Sequence, residues 1–487
     1  MARVTADILP ECLIQKILSY CSFKRAAKMS ILSKTWLQAW LTLPNLKFRA
    51  RYYKDVEITD TILERYRDNN IPIDTFEFLN CLESYSREVF FPPIGKWLDI
   101  ALQNGVKDIV YEDPRRLVRS YPLPIFKILA AKSLRELVME GCDLMLRGSL
   151  SGGVTNCISL RKLSLSYVRL DNNMLQTLLN SCPLIDTFIL EYCPGLEKIE
   201  LLNLQKIKSV SIKTRGNQRV KIQAPTLERL FCCGALEESP MLDVVEYQNL
   251  KSLELSGMNI SDGFLQHLFS RSQSLESLIL DNVCKGLERF KICGSQSLRI
   301  LQIKDREDKV GEIDASNLVS LEYMGDQIPK LKIAKESSQL KRSHIRLDFW
   351  SGNNLNASWF RKLRIFLLSS ISWSQVSLYF HKCNEINMKD LRLHHRVATP
   401  QVNVLNVYIK SRKGLPTFVD ALLWSCHPRK LMLTSTVEMV TCFTDRLMYM
   451  KNSKPLYSQL KDVKAYKFDC KYEALTEKKK VYFLLDW

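Results

Sequence analysis

The chain of 487 residues is predicted to be an α/β protein. Three short helices stand at the N-terminus, and a curved solenoid with a parallel concave sheet follows. Two patterns lead there. Apolar residues recur at helical spacing through the first 46 residues, and beyond about residue 70 a short aliphatic phrase returns every 20–26 residues. Length agrees, because a single ordinary hydrophobic core does not extend over a chain of this size.

The helices come first. Asp7 suits a cap, and Leu9-Pro10 places proline where a helix start leaves its N–H unsatisfied in any case. Leu13, Ile14, Ile17 and Leu18 then line one helix face. A second helix begins near Lys24 and carries Ala26, Ala27 and Met29. Ser33 caps a third, with Trp36, Leu37, Trp40 and Leu41, and Pro44 ends it. Some forty residues bury too little surface to stand alone, so the module packs against the rest of the chain, offers apolar surface to a partner, or both. Spacing leaves Trp36 and Trp40 open between core and contact.

The phrase L-x-x-L-x-L, or its aliphatic and aromatic equivalents, occurs at Leu134-Leu137-Met139, Leu160-Leu163-Leu165, Ile185-Phe188-Leu190, Ile207-Val210-Ile212 and Leu227-Leu230-Cys232. It returns at Leu250-Leu253-Leu255, Leu275-Leu278-Leu280, Leu298-Leu301-Ile303 and Leu318-Leu321-Tyr323. The mean interval is 23 residues, which is the leucine-rich-repeat period: one short strand per repeat, its last two apolar positions pointing inward. No repeat buries its apolar face alone, so neighbours must stack.

Ile73-Phe76-Phe78 and Val106-Ile109-Tyr111 extend the array upstream. Ile345-Leu347, Leu363-Phe366-Leu368, Met388-Leu391-Leu393, Val404-Val407-Ile409 and Leu431-Leu433 are candidate rungs downstream. The step from 388 to 404 is too short for both phrases to be regular. Leu196-Ile199-Leu201 and Leu287-Phe290-Ile292 read as extended segments on the outer face. Residues 95–105, 171–181 and 261–270 read as connecting helices, with Asp171 and Ser261 or Asp262 as caps.

The stretch from Leu9 to Leu46 resembles an F-box, in the form seen in plant F-box/leucine-rich-repeat proteins. The matching residues are Leu9-Pro10, Ile14, Ile17-Leu18-Ser19, Lys24, Ala26, Ser30, Leu32-Ser33-Lys34, Trp36, Trp40 and Leu43-Pro44. Residues 97–113, 180–196, 224–230, 274–292 and 422–435 resemble the degenerate repeats of the same family. The likeness breaks at Cys21-Ser22, where the plant form reads Leu-Pro; without proline the turn loses a fixed dihedral. It implies an F-box over 1–46, a linker or capping segment over 47–70, repeats over 71–435 and a C-terminal cap or degenerate FBD-like segment over 436–487.

The resemblance also implies a role. F-boxes dock on a Skp1-type adaptor that leads to a cullin and a RING protein in a ubiquitin ligase, while the repeats hold a protein substrate. Leu9, Pro10, Ile14, Ile17, Leu18, Leu32, Ser33 and Trp36 are the adaptor-contact candidates; some of the apolar ones must instead hold the helices together. Two other roles stay open: a non-degradative binding or scaffold protein, and a ligand-gated hormone co-receptor. Some plant relatives of the last kind hold an inositol polyphosphate, and Arg161, Lys162, Lys208 and Lys251 either converge into a basic patch for such an anion or form a solvated polar face.

Composition narrows the rest. Seventy Lys and Arg against 52 Asp and Glu leave a net charge of +18. The excess is spread through segments such as 340–346, 361–364, 461–467 and 478–480, which suits an acidic protein or anionic small molecule, or a role in solubility alone, better than nucleic acid. Residues 1–10 lack an apolar signal core, so the 15 cysteines are expected as reduced thiols in the nucleus or cytoplasm. No run of about 18 apolar residues suggests a membrane span. Cys142, Cys157, Cys182, Cys193, Cys284 and Cys293 read as small buried hydrophobes. The pairs His394-His395 and Cys426-His427 lack further ligands at metal spacing. No phosphate loop or nucleophile elbow is visible, so the expected role is non-catalytic.

Overall fold

The computed structural model describes residues 9–82, 92–114, 120–145, 156–202, 204–235, 240–245, 248–261, 263–283, 289–292, 295–304, 310–333, 340–349, 355–369, 373–392, 398–411, 413–453, 460–468 and 479–487. Asp7, Asp262, Cys284, Leu287, Cys293, Leu393, His394 and His395, singled out above, lie outside these residues. The chain forms two compact units, Met1–Glu246 and Tyr247–Trp487.

The first unit starts with helices α1 (Glu11–Ser19), α2 (Phe23–Met29) and α3 (Lys34–Leu41). Strand β1 (Asn45–Ala50), helix α4 (Tyr53–Asp68) and strands β2 (Thr75–Asn80) and β3 (Asp108–Glu112) follow. The main sheet continues through Glu136–Glu140, Lys162–Ser166, Thr187–Glu191, Ser209–Lys213 and Arg229–Cys233, every pair parallel. A separate parallel sheet joins Lys198–Leu201, Arg219–Ile222 and Met241–Val244.

The second unit repeats this grammar. Strands Ser252–Ser256, Ser277–Asp281, Ile300–Lys304, Ser320–Gly325, Arg342–Phe349, Gln375–Phe380, Gln401–Ile409 and His427–Ser435 are parallel neighbours. The direction then reverses: Lys479–Asp486 pairs antiparallel with His427–Ser435, and Asp462–Phe468 antiparallel with Lys479–Asp486. A separate sheet joins Arg289–Ile292, Val310–Ile313 and Lys330–Ile333.

All nine phrases form strands, and all three apolar positions of each are buried. The expected α/β architecture with its long parallel-strand repeats is the one observed. The register explains the spacing. Leu137, Leu163 and Phe188 face one another across successive rungs, as do Met139, Leu165 and Leu190, so each apolar pair is sealed by its neighbours.

Two candidate rungs are helices instead. Residues Ala357–Ser369 and Met388–Arg392 are helical, because Phe360, Leu363 and Leu367 recur at three and four residues and bury one helical face. The rung between them is Gln375–Phe380, with Trp373 in the first apolar position. Another rung runs from the end of the expected F-box into the segment expected as linker or cap: Leu43, Leu46 and Phe48 fill the phrase, and β1 pairs in register with β2. Residues 47–70 thus contain the end of β1, which pairs with β2, and helix α4. Expected connecting helices appear at Ile94–Gln103, Asn172–Ser181 and Phe264–Arg271. Asp171 Oδ1 accepts the Met174 N–H at 2.7 Å, whereas Gly263, at φ +77, stands at the start of the last helix.

The residue after several strands takes a left-handed conformation. Gly141 (φ +69), Gly257 (φ +58) and Asn282 (φ +49) do so, and so do Tyr167 and Tyr192 (both φ +53). The two tyrosine rings lie 5.4 Å apart, with the Arg215 guanidinium over both. At Gly141 a side chain has no room, since a Cβ would collide with the Asp113 carbonyl oxygen of the preceding rung. Gly141→Ala is expected to cost more than about 1 kcal/mol, read as a lower denaturant midpoint.

In the second unit the His427 ring stacks on Trp487 at 3.9 Å, and the Trp487 indole N–H donates to the Pro428 carbonyl at 2.7 Å. Burial, aided by the nearby Arg364 charge, holds His427 down at about 4. Below pH 6.5 the unfolded chain takes this proton first, so stability falls with pH until about 4 and is untouched by this group above 6.5. His427→Phe should keep the stack and flatten that difference, measured as thermal midpoint against pH.

Candidate functional site

The N-terminal helices sort their apolar residues into two sets. Ile14, Leu18, Ala26, Trp36, Ala39 and Leu43 form one buried cluster, with Cys21, Met29 and Trp40 packed on it. Ser33 Oγ accepts the Trp36 N–H at 3.3 Å, fixing the start of α3. Gln15 Nε2 donates to the Thr42 carbonyl and hydroxyl at 3.3 and 3.0 Å, and Thr42 Oγ1 donates to Glu11 at 3.0 Å. These bonds tie the first helix to the end of the third. At the turn that lacks proline, the Cys21 thiol points to the Met29 sulfur at 3.8 Å.

The second set faces solvent. Ile31 is 86% exposed, Tyr20 81% and Leu32 57%; Leu9, Leu13, Ile17 and Leu37 are exposed as well. Pro10 is exposed at the start of α1. Of the eight contact candidates, Leu9, Pro10, Ile17 and Leu32 thus lie on the surface. Ile14, Leu18 and Trp36 belong to the helical core, and Ser33 caps α3. Four exposed residues were not on that list: Leu13, Tyr20, Ile31 and Leu37. Spacing carries the signal for two of them. Leu13, Ile17 and Tyr20 form an i, i+4, i+7 stripe beside the Ile14–Leu18 stripe, and one short helix cannot bury both against two partners.

The module is cemented to the sheet. Phe23 packs on Trp40 and Phe48 at 5.5 and 4.9 Å. From α4, the Arg65 guanidinium covers the Trp40 ring at 5.0 Å and donates to the Leu41 carbonyl at 3.3 Å. Tyr66, fully buried, donates its hydroxyl to the Leu43 carbonyl at 2.8 Å. Burial drives its phenol up to about 12, so it stays a donor at physiological pH.

Elsewhere one constellation has the form of a nucleophile with its base. In the second unit, Glu322 Oε1 lies 3.3 Å from His344 Nδ1, and His344 Nε2 lies 2.9 Å from Ser377 Oγ. Asn406 Nδ2 also donates to Ser377 Oγ at 3.0 Å. Ser377 is only 1% exposed, so no substrate reaches its oxygen; burial also lowers the pKa of His344 and favours its neutral ring. The network is a polar seam between rungs. Among the described residues, no group of three or more His, Cys, Asp or Glu is placed to hold a metal ion, and no helix is long and apolar enough to cross a membrane. Cys142, Cys157, Cys182, Cys193, Cys232 and Cys426 are buried.

The four cations weighed as a basic patch or a solvated polar face are placed as follows. Lys162 is paired with Glu136 at 3.0 Å, and Arg161 donates to the Leu184 carbonyl at 3.1 Å. Lys208 is exposed in the same unit, and Lys251 belongs to the other.

A helical clip with unpaired apolar side chains, built onto parallel repeats, defines an F-box protein with leucine-rich repeats. Known proteins agree. The F-box domain model matches residues 7–48. The repeats match two further models, that of the FBD-associated F-box protein At5g56370 LRR repeats over 94–244 and that of the At1g61320/AtMIF1 LRR domain over 229–357. The chain is 24% identical to the F-box/LRR-repeat protein At3g03360 of Arabidopsis thaliana, over 61% of this chain and 60% of that protein. It is 22% identical to the putative F-box/LRR-repeat protein At3g18150, over 84% and 88%. With the FBD-associated F-box protein At5g38590 it shares 30% identity, over 40% and 46%. The chain carries an F-box domain and leucine-rich repeats and is similar to plant F-box/LRR-repeat proteins.

The two sets respond differently to substitution. Ile14→Ala or Trp36→Ala should cost about 2–5 kcal/mol, whereas Ile17→Glu and Leu32→Glu should stay within about 0.5 kcal/mol of the parent. Chemical denaturation of the full chain distinguishes them.

Proposed function

We propose that this protein is the substrate-recognition subunit of an SCF-type ubiquitin ligase. Leu9, Pro10, Ile17 and Leu32, joined by Leu13, Tyr20, Ile31 and Leu37, bind a Skp1-type adaptor, and through it a cullin and a RING protein. Ile14, Leu18, Trp36 and Ser33 act from beneath by holding α1 and α3 in place. The repeats hold a protein client. Chemistry belongs to the conjugating enzyme; this subunit supplies proximity, raising the effective concentration of client lysines near the thioester.

One observation carries the reading: an F-box-like module turns seven large apolar side chains outward. Clusters of that kind mark interaction sites on folded proteins. The joint through Phe48, Arg65 and Tyr66 supports it too, because a rigid seam fixes where a held client stands relative to the adaptor.

Capture of a Skp1-type adaptor and a cullin by the full chain, lost by at least about tenfold in Ile17→Glu/Leu32→Glu with an unchanged denaturation midpoint, is the expected result. Equal capture by that variant would overturn the assignment. Adaptor capture without a cullin, and with client levels unaffected by the variant, would favour a non-degradative binding protein.

A further inference from the structure

In the first unit, two tyrosines occupy a backbone position that other rungs give to glycine or asparagine. The residue after the strand donates its N–H to the last strand carbonyl of the next rung: Gly141 to Ser166 at 3.0 Å, Tyr167 to Glu191 at 2.8 Å and Tyr192 to Lys213 at 2.7 Å. In the second unit Gly257 and Asn282 do the same, to Asp281 and Lys304. All five are left-handed, a conformation that glycine adopts freely and a bulky side chain does not. The turn alone gives no reason for tyrosine. We propose that Tyr167, Tyr192 and Arg215 form a docking site for an acidic segment of a client protein, one that sets a glutamate or aspartate side chain near a large apolar one. This rests on the reading of the repeats as the part that holds the client.

The rings hold a cation. Both are half-buried and lie 5.4 Å apart, and the Arg215 guanidinium stands 5.4 Å from the Tyr167 centroid and 5.1 Å from that of Tyr192. Arg215 is exposed, and beyond these two ring contacts it has no ion pair or hydrogen bond among the described residues. Aromatic faces attract a guanidinium through its own face. Its N–H edge keeps the fork that matches a carboxylate with paired hydrogen bonds. Held this way, a long side chain loses less freedom on binding than a mobile one. The strain of two tyrosine turns thus goes into keeping one cation ready.

The strands that lead into these turns, and the strand beside them, supply the apolar part. Ile189, Ser211 and Phe231 lie in register on three successive rungs, each between two buried residues and each itself half-buried. Ile189 precedes Tyr192 by three residues, about 10 Å of extended chain. Between them Glu191 and Lys213 pair at 2.8 Å and neutralise each other, so Arg215 is the charge that selects the partner. A basic segment would set a cation against it, and a purely apolar one would cover the guanidinium without pairing it. An acidic segment meets a partner at the right distance from Ile189 and Phe231. Tyrosine and arginine are also the residue types that carry most binding energy at protein interfaces.

The test is selection of random phage-displayed peptides on the full-length chain, each peptide fused through its C-terminus so that only side-chain carboxylates are offered. Enriched peptides should pair Asp or Glu with a large apolar residue about two or three positions away. Their affinity should fall about tenfold in Arg215→Gln and about threefold in Tyr192→Asn, a change that keeps the turn as Asn282 does. Arg229→Gln removes an exposed cation at the opposite end of the strands and should leave affinity unchanged. No enrichment, enrichment without an acid, an equal loss in Arg229→Gln, or affinity that survives Arg215→Gln or Tyr192→Asn would overturn the site. Arg215→Gln should capture the Skp1-type adaptor as well as the parent does. A chain that selects acidic peptides in this way but captures no adaptor would refute the ligase reading alone, and one that captures adaptor without the acidic preference would refute this site alone.

Discussion

Parallel register is the constraint on which each unit rests. A rung holds only a few residues, too short to bury an apolar face by itself, so it is stable only when its inward pair lies directly against that of its neighbour. Repeated backbone bonds enforce the match. The residue before one strand accepts two N–H groups from the next rung, and Ser133, Thr226, Ser274 and Ser297 add a hydroxyl bond to the first apolar carbonyl of the rung before. A slip of one residue would break these bonds and turn Leu, Ile and Phe side chains to solvent.

That constraint reaches the N-terminal helices. Leu43 belongs to their buried cluster and also opens the first rung. The module and the sheet consequently share a residue, a pair of phenylalanines and a buried tyrosine bond. Short helices with too little core of their own gain a wall from β1 and α4, and this frees their second apolar stripe to face outward. Stability and partner binding are thus assigned to different residues of the same small element.

Outward positions carry no such obligation, and they differ from rung to rung. In the first unit the residue before the strand changes from Asp74 to Lys107, Arg135 and Arg161 and back to Asp186, over a backbone that repeats without change. In the second, Glu322, His344, Ser377 and Asn406 form a polar seam that imitates a catalytic arrangement while its serine stays buried. The same kind of rung therefore holds an exposed run of cations in one unit and a polar seam around a buried serine in the other, and only the side chains decide which.

Much of this was legible in the residues. The phrase with three apolar positions placed nine strands, the helical stripes placed α1 to α3, and the resemblance at Leu9 to Leu46 pointed to the family, because these patterns record burial that neighbouring repeats or helices impose locally. The rungs at Leu43–Phe48 and Trp373–Phe380 were obscured where the first position was claimed by the preceding helix or filled by tryptophan. Residues 363–368 read as strand because two apolar positions two apart also fit a helix when a third lies three residues away. Only the tertiary structure decided which of Ile14, Ile17, Leu18, Leu32 and Trp36 are core and which are surface, and which cations lie on neighbouring rungs. Both depend on what stands across a helix or on the next rung, at a separation of twenty or more residues that spacing along the chain does not encode.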